Sequence, residues 1–120
     1  MRWIKPRIQT VKITSDGSCI GDTCGGGGLV ADSNGGFIFA YSIPLGVGTS
    51  NMAEAAAMLF GINWCPNRGY RVVWGKTDSL LIFKCITREW KVPWRIIDII
   101  QDIQLLVEKH GFQINHCFRE

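Results

Sequence analysis

The sequence predicts a single α/β domain: a mixed five-stranded sheet, three antiparallel strands and then parallel ones, flanked by helices. Three observations carry this. Strand-like segments separated by turn signals open the chain. Helical and strand-like segments then alternate, and a parallel neighbour is reached only by such crossovers. Finally, 120 residues with 47% apolar and 19% charged content suit one domain with a real core, neither two domains nor a disordered chain.

Residues 1–7, with Trp3 and Pro6, read as a lead or linker, and the domain follows over 8–120. Residues 8–16 alternate as a strand, with Ile8, Val11 and Ile13 toward a core, until Gly17-Ser18 and Gly21-Asp22 break it. A glycine-rich run over 26–31 ends in apolar Leu29-Val30 and meets a turn signal over 32–36. Residues 37–43 form a strong strand, so the Asn34-Gly35 turn predicts an antiparallel hairpin.

Helical patterning begins after Gly48, where Thr49, Ser50 or Asn51 can cap a segment rich in helix formers over 52–60. Pro66 and Gly69 are expected to stop it. Residues 70–74 read as a short buried strand, Asp78-Ser79 as the cap of a helix over 80–88, and Pro93 as the start of another. In that last helix Trp94, Ile97, Ile100, Ile103 or Gln104, and Val107 fall at helical spacing, stopping at His110-Gly111. A final strand over 112–118 closes the order βββ-α-β-α-α-β.

A net charge of +3 is compatible with a nucleic-acid partner without demanding one. The odd cysteine count (19, 24, 65, 85 and 117), no C-x-x-C pair and no signal peptide argue against a secreted disulfide framework. The cysteines are expected to be reduced, mostly buried and intracellular, and Cys19 and Cys24 lack a second ligand pair for zinc. No apolar run nears the about 18 residues of a membrane span, so a soluble protein without a membrane partner is expected.

Three acidic residues carry the chemistry. Asp16 ends the first strand, Glu54 lies on the first turn of the first long helix, and Asp78 lies where the next strand gives way to a helix. If the first and fourth strands are neighbours, Asp16 and Asp78 meet at their carboxyl ends, where ligands collect, and Glu54 can reach them from the covering helix. Gathered carboxylates repel unless a divalent cation neutralises them, and oxygen-only ligands favour Mg²⁺ or Mn²⁺ over zinc. Each residue also has a local explanation: Asp16 as turn chemistry, Glu54 as a partner of the helix dipole, Asp78 as a helix cap.

Asp16-Gly17-Ser18-Cys19-Ile20-Gly21, then Thr49-Ser50-Asn51-Met52-Ala53-Glu54, then Thr77-Asp78-Ser79, in that order and at those distances, resemble the ribonuclease H family. The most similar variant is the plant reverse-transcriptase-like domain of non-LTR retroelement polyproteins. The lead over 3–6, the hairpin over 27–35 and the closing Asn115-His116-Cys117-Phe118-Arg119-Glu120 also look like that group. The resemblance spans nearly the whole chain.

It implies that Asp16, Glu54 and Asp78 are catalytic and bind Mg²⁺ or Mn²⁺, with Asp16 bridging two ions, to cut the RNA strand of RNA–DNA hybrids. It implies substrate contacts at Gly17, Ser18, Thr49, Asn51 and Ser79: Asn51 in the minor groove at the 2′-hydroxyl, Thr49 on a phosphate of the DNA strand. Thr49 and Asn51 also read as ordinary helix caps. A monomeric domain within a larger polyprotein is the implied setting.

The family usually adds a fourth carboxylate on a helix after the last strand, and the sequence stops at Glu120, before that helix. Asp22 stands where some members carry a minor-groove amide, and Leu80 replaces a polar reader. These departures support an alternative, a catalytically weak RNase H-like module that binds nucleic acid or protein. Residues 88–95 offer three cations and two tryptophans to a nucleic acid, although tryptophans packed between helices are the first expectation. His116, in the last strand, is expected to be structural.

Overall fold

The computed structural model describes residues 10–116, so the lead over 1–7 and the expectations for Ile8, Cys117 and Glu120 lie outside the described residues. The elements are β1 (Thr10–Ile20), β2 (Thr23–Asp32), β3 (Phe37–Val47), α1 (Ser50–Asn67), β4 (Val72–Thr77), α2 (Leu80–Ile86), α3 (Ile97–His110) and β5 (Gln113–His116). A 3₁₀ turn, Trp94–Ile96, leads into α3. The sheet order is β3-β2-β1-β4-β5. β1 is antiparallel to β2 and parallel to β4, and β5 continues the parallel half. The expected element order and mixed sheet are both present.

Alternation along β1 sends Val11, Ile13 and Ser15 inward under α1, while Thr14, Asp16 and Ser18 stay exposed. Val30, Val73, Met58, Ile62, Ile82, Ile100 and Ile103 complete the core from the other elements. α1 meets the sheet with small residues, Ala53, Ala55, Ala57 and Gly61, all buried, which lets helix and strands approach closely. Tyr41 reaches beneath α1 and donates to the Ala57 carbonyl at 2.7 Å. A Cβ at Gly28 would land on the Tyr41 ring, so glycine there makes room for it.

Several expectations are corrected. β1 does not end at Gly17-Ser18 but runs to Ile20, because Gly25, Gly26 and Gly27 of β2 continue the backbone ladder opposite it. The Gly21-Asp22 turn is the real break, with Gly21 at φ +65°. That register sets Cys19 against Cys24, and the two form a disulfide, against the expectation that they are reduced. Cys65 and Cys85 are buried and free, as expected. α1 does end within 66–69 as expected, at Asn67, with Pro66 inside its last turn and the chain turning at Gly69, φ +84°.

β4 lies later than the expected 70–74 and is not wholly buried: Val73, Gly75 and Thr77 face inward, while Trp74 is exposed against the Lys12 ammonium. The tryptophans of 88–95 do not pack between helices. Trp94 is 76% exposed beneath the Arg95 guanidinium, and Trp90 is exposed as well. The 3₁₀ turn shifts the helical phase before α3, so that Ile96 takes the buried place that helical spacing assigned to Trp94. Among the described residues no helix is long and apolar enough to cross a membrane.

Candidate metal centre

β1 and β4 pair from Thr10↔Val72 to Thr14↔Lys76, and there the parallel ladder ends. Asp16 and Asp78 each stand two residues past that last pair, at the same level in a fork between the strands. Glu54 reaches the fork from α1. The approach depends on Gly17: a Cβ there would fall on the Ala53 carbonyl and the Glu54 nitrogen, so only glycine lets the helix come down on the strand. One carboxylate oxygen from each of Asp16, Glu54 and Asp78 lies within 4.8 Å of the others.

None of the three residues has the local role that could have explained it. Asp16 lies inside a strand opposite Gly27, away from any turn. Glu54 is beyond the first turn of α1, which holds no acidic residue, so the expected first-turn position is corrected. The cap of α2 is Ser79, whose hydroxyl accepts from the Ile82 amide at 3.2 Å, and Asp78 precedes it.

The electrostatics fit a cation. Oε2 of Glu54 is buried without a hydrogen-bond partner among the described residues. Burial first, then the charges of Asp78 and Asp16, push the Glu54 carboxyl from near 4.5 up to about 7, against the Gly17 backbone amide, which pulls it down. A divalent ion would give the orphaned oxygen a partner and remove the repulsion. The donor set is oxygen only, which suits a hard cation such as Mg²⁺ or Mn²⁺.

A pH dependence follows for the metal-free protein. Above about 4.5 an unfolded Glu54 loses its proton while the folded one keeps it up to about 7. The folded state therefore binds more protons in that window, and stability falls as pH rises through it. Melting temperatures in chelator at about pH 5 and about pH 8 should show the drop, and Glu54→Gln should flatten it.

The surroundings hold the carboxylates in place. Thr77 is buried, and its hydroxyl accepts from the Ser79 amide at 3.1 Å. The His116 ring nitrogen lies 3.3 Å from the Asp78 carbonyl, so β5 braces the segment that carries Asp78. This contact was not visible in the sequence; the signal that could have found it is the parallel Thr77↔His116 register. Thr49 is the N-cap of α1, its hydroxyl accepting from the Met52 amide at 3.2 Å, and Asn51 is exposed on the first turn. Both hydroxyls, on Thr49 and Ser79, accept in capping and still have a proton to donate. Gly17 is buried under α1, and Ser18 is exposed beside it.

Comparison with known proteins agrees with this architecture. The profile of the reverse transcriptase-like family matches residues 14–120. No curated protein matches at a significant level. Among solved structures the chain is similar to RNase H1 from the halophilic archaeon Halobacterium salinarum, with TM-score 0.84, 21% identity, and 92% of this chain and 86% of that one covered. It is equally similar to the N-terminal RNase H domain of a Mycobacterium tuberculosis protein fused to maltose-binding protein, with TM-score 0.85, 21% identity and coverage of 92% and 84%. LC11-RNase H1 in complex with an RNA/DNA hybrid gives 0.81, 21%, 91% and 86%. At these identities the structural likeness speaks to the fold, while the family match spans most of the chain. The chain therefore belongs to the reverse transcriptase-like family and is built on the ribonuclease H fold.

Proposed function

We propose that the protein is a divalent-metal-dependent nuclease that hydrolyses the RNA strand of RNA–DNA hybrids. The observation that carries this is the meeting of Asp16, Glu54 and Asp78 within 4.8 Å, with Oε2 of Glu54 buried and without a hydrogen-bond partner among the described residues. The hybrid bound by one structural neighbour supports the substrate class. An intracellular setting and a retroelement origin of the plant type belong to the same reading.

Asp16, Glu54 and Asp78 would hold Mg²⁺ or Mn²⁺, which supplies Lewis-acid polarisation of the phosphate and lowers the pKa of a bound water. The protein's own contribution is positional. Asp16, inside β1, and Asp78, just after β4, each stand two residues past the last β1–β4 pair, and Glu54 is fixed by the contact of α1 with Gly17. Gly17 and Ser18 border the substrate. Thr49 and Ser79 offer hydroxyl protons to phosphate oxygens, and Asn51, exposed on the first turn of α1, would read a 2′-hydroxyl.

The direct test is hydrolysis of a labelled RNA–DNA hybrid in Mg²⁺ and in Mn²⁺, with duplex DNA and duplex RNA as controls. Cleavage confined to the RNA strand of the hybrid, and abolished by chelator, is the expected result; none in either metal removes the enzyme reading. The alternative, binding without effective cleavage, is favoured by exposed Leu80 next to the Ser79 cap, an apolar group at the rim of the fork. It would show as hybrid binding with intact RNA.

A further inference from the structure

The tip of the β1–β2 hairpin is held in an uncommon way. Opposite Ser15, Asp16, Gly17 and Ser18 stand Gly28, Gly27, Gly26 and Gly25, so no cross-strand side-chain pair supports the part of β1 that carries Asp16. Glycine in a strand adds no packing and loses the most backbone entropy on ordering. The other side of β2 is weak as well. Its ladder with β3 shifts register between Cys24 and Gly25, and Gly25 stands against Pro44, which has no amide to donate. Immediately beyond this glycine run lies the Cys19–Cys24 disulfide. It is the covalent tie that closes the arm. The same tip reaches the site from a second direction: the Gly48 amide donates to the Asp22 carbonyl at 2.9 Å, one residue before the Thr49 cap.

The two halves of the disulfide differ in burial. Cys24 is buried, 5% exposed, whereas Cys19 is partly exposed between exposed Ser18 and Ile20. We propose that the Cys19–Cys24 disulfide is a thiol-exchange site, opened by a dithiol reductant, whose state sets the order of the strand that carries Asp16. Opening it loosens the glycine arm and weakens divalent-cation binding at Asp16, Glu54 and Asp78; this consequence rests on the metal reading above.

The exchange balances simply. A thiolate of the dithiol attacks the Cys19 sulfur, and the S–S bond breaks. Cys24 departs with the electron pair and takes up a proton, its sulfur 3.6 Å from the Asp22 carbonyl as acceptor. The second thiol of the reductant then attacks its own sulfur in the mixed disulfide and releases Cys19 as a thiol. Two electrons pass to the protein, and the dithiol becomes a disulfide. Cys65 and Cys85 do not compete, because burial keeps both as protonated thiols inside the core. In a reducing compartment disulfides are transient and serve as redox sensors, which agrees with the intracellular setting proposed above.

The test compares oxidised protein with protein treated with dithiothreitol. Hydrogen exchange is followed by mass spectrometry over residues 15–28, and Mn²⁺ binding by calorimetry. Reduction should speed exchange over 15–28, leave α3 unchanged, and weaken Mn²⁺ binding by about fivefold or more. The double variant Cys19→Ser/Cys24→Ser should match the reduced protein and ignore the reductant. The proposal is overturned if Cys19 and Cys24 remain free under oxidising conditions, if exchange over 15–28 is the same in both states, or if the double variant still responds. Faster exchange on reduction, with no Mn²⁺ bound by either form, upholds the clamp and removes the metal reading instead.

Discussion

Asp16→Asn is expected to lower hybrid cleavage at least about a hundredfold, the equivalent of roughly 3 kcal/mol in transition-state stabilisation. The substitution preserves shape and removes one charge from a cluster whose three oxygens lie within 4.8 Å. Its second effect has the opposite sign. The Asp16 charge is one of the influences that raise the Glu54 carboxyl, after burial and Asp78, so removing it relieves Glu54 in the metal-free protein. The variant should melt at a higher temperature than the parent in chelator near neutral pH, while Mg²⁺ or Mn²⁺ raises its melting temperature less. Lost activity combined with gained metal-free stability separates a ligand from a structural residue, whose removal would lower both. Parent-like cleavage by Asp16→Asn would remove Asp16 from the proposed mechanism.

Gly17→Ala is the second large effect. The added methyl meets backbone, the carbonyl of Ala53 and the nitrogen of Glu54, so no side chain can rotate aside. Either α1 lifts or β1 bends. We expect a loss of about 3 kcal/mol in urea unfolding, at the upper end for overpacking by one methyl group. The shift also draws Glu54 away from Asp16, so the melting-temperature rise on adding Mg²⁺ should shrink. Gly25→Ala is the control: there the added Cβ meets only the Ile43 carbonyl at 3.5 Å, an ordinary contact. Alanine loses less backbone entropy than glycine on folding, so Gly25→Ala should cost little or stabilise slightly, and a similar loss at both positions would remove the helix contact as the cause.

Much of this architecture was legible because side-chain alternation and turn chemistry are local. The Asn34-Gly35 turn, the helix formers after Thr49 and the Gly111 stop each act within a few residues. The positions of Asp16 and Asp78 followed from one topological assumption, that β1 and β4 are neighbours. What escaped depends on register. Gly17-Ser18 read as a break because glycine is a local breaker, while the ladder that overrides it belongs to β2. The disulfide escaped for the same reason: a spacing of five says nothing until the turn is fixed. Once Gly21-Asp22 is the two-residue turn, Cys19 and Cys24 are equidistant from it and must face each other. Trp94 leaves the buried place that helical spacing predicts because the turn before α3 is wound more tightly than an α-helix.

The fork beyond Thr14↔Lys76 also limits which changes in chain length the domain can accept. One residue inserted or deleted between the last pair and either aspartate would slide that carboxylate by about 3.3 Å and turn it to the opposite face of the sheet. The segments 15–16 and 77–78 are therefore fixed in length as well as in composition, whereas the exposed turn over 33–35 carries no such constraint. Length variation among functional relatives should collect at that turn and stay out of the fork, so counting residues is as informative there as reading them.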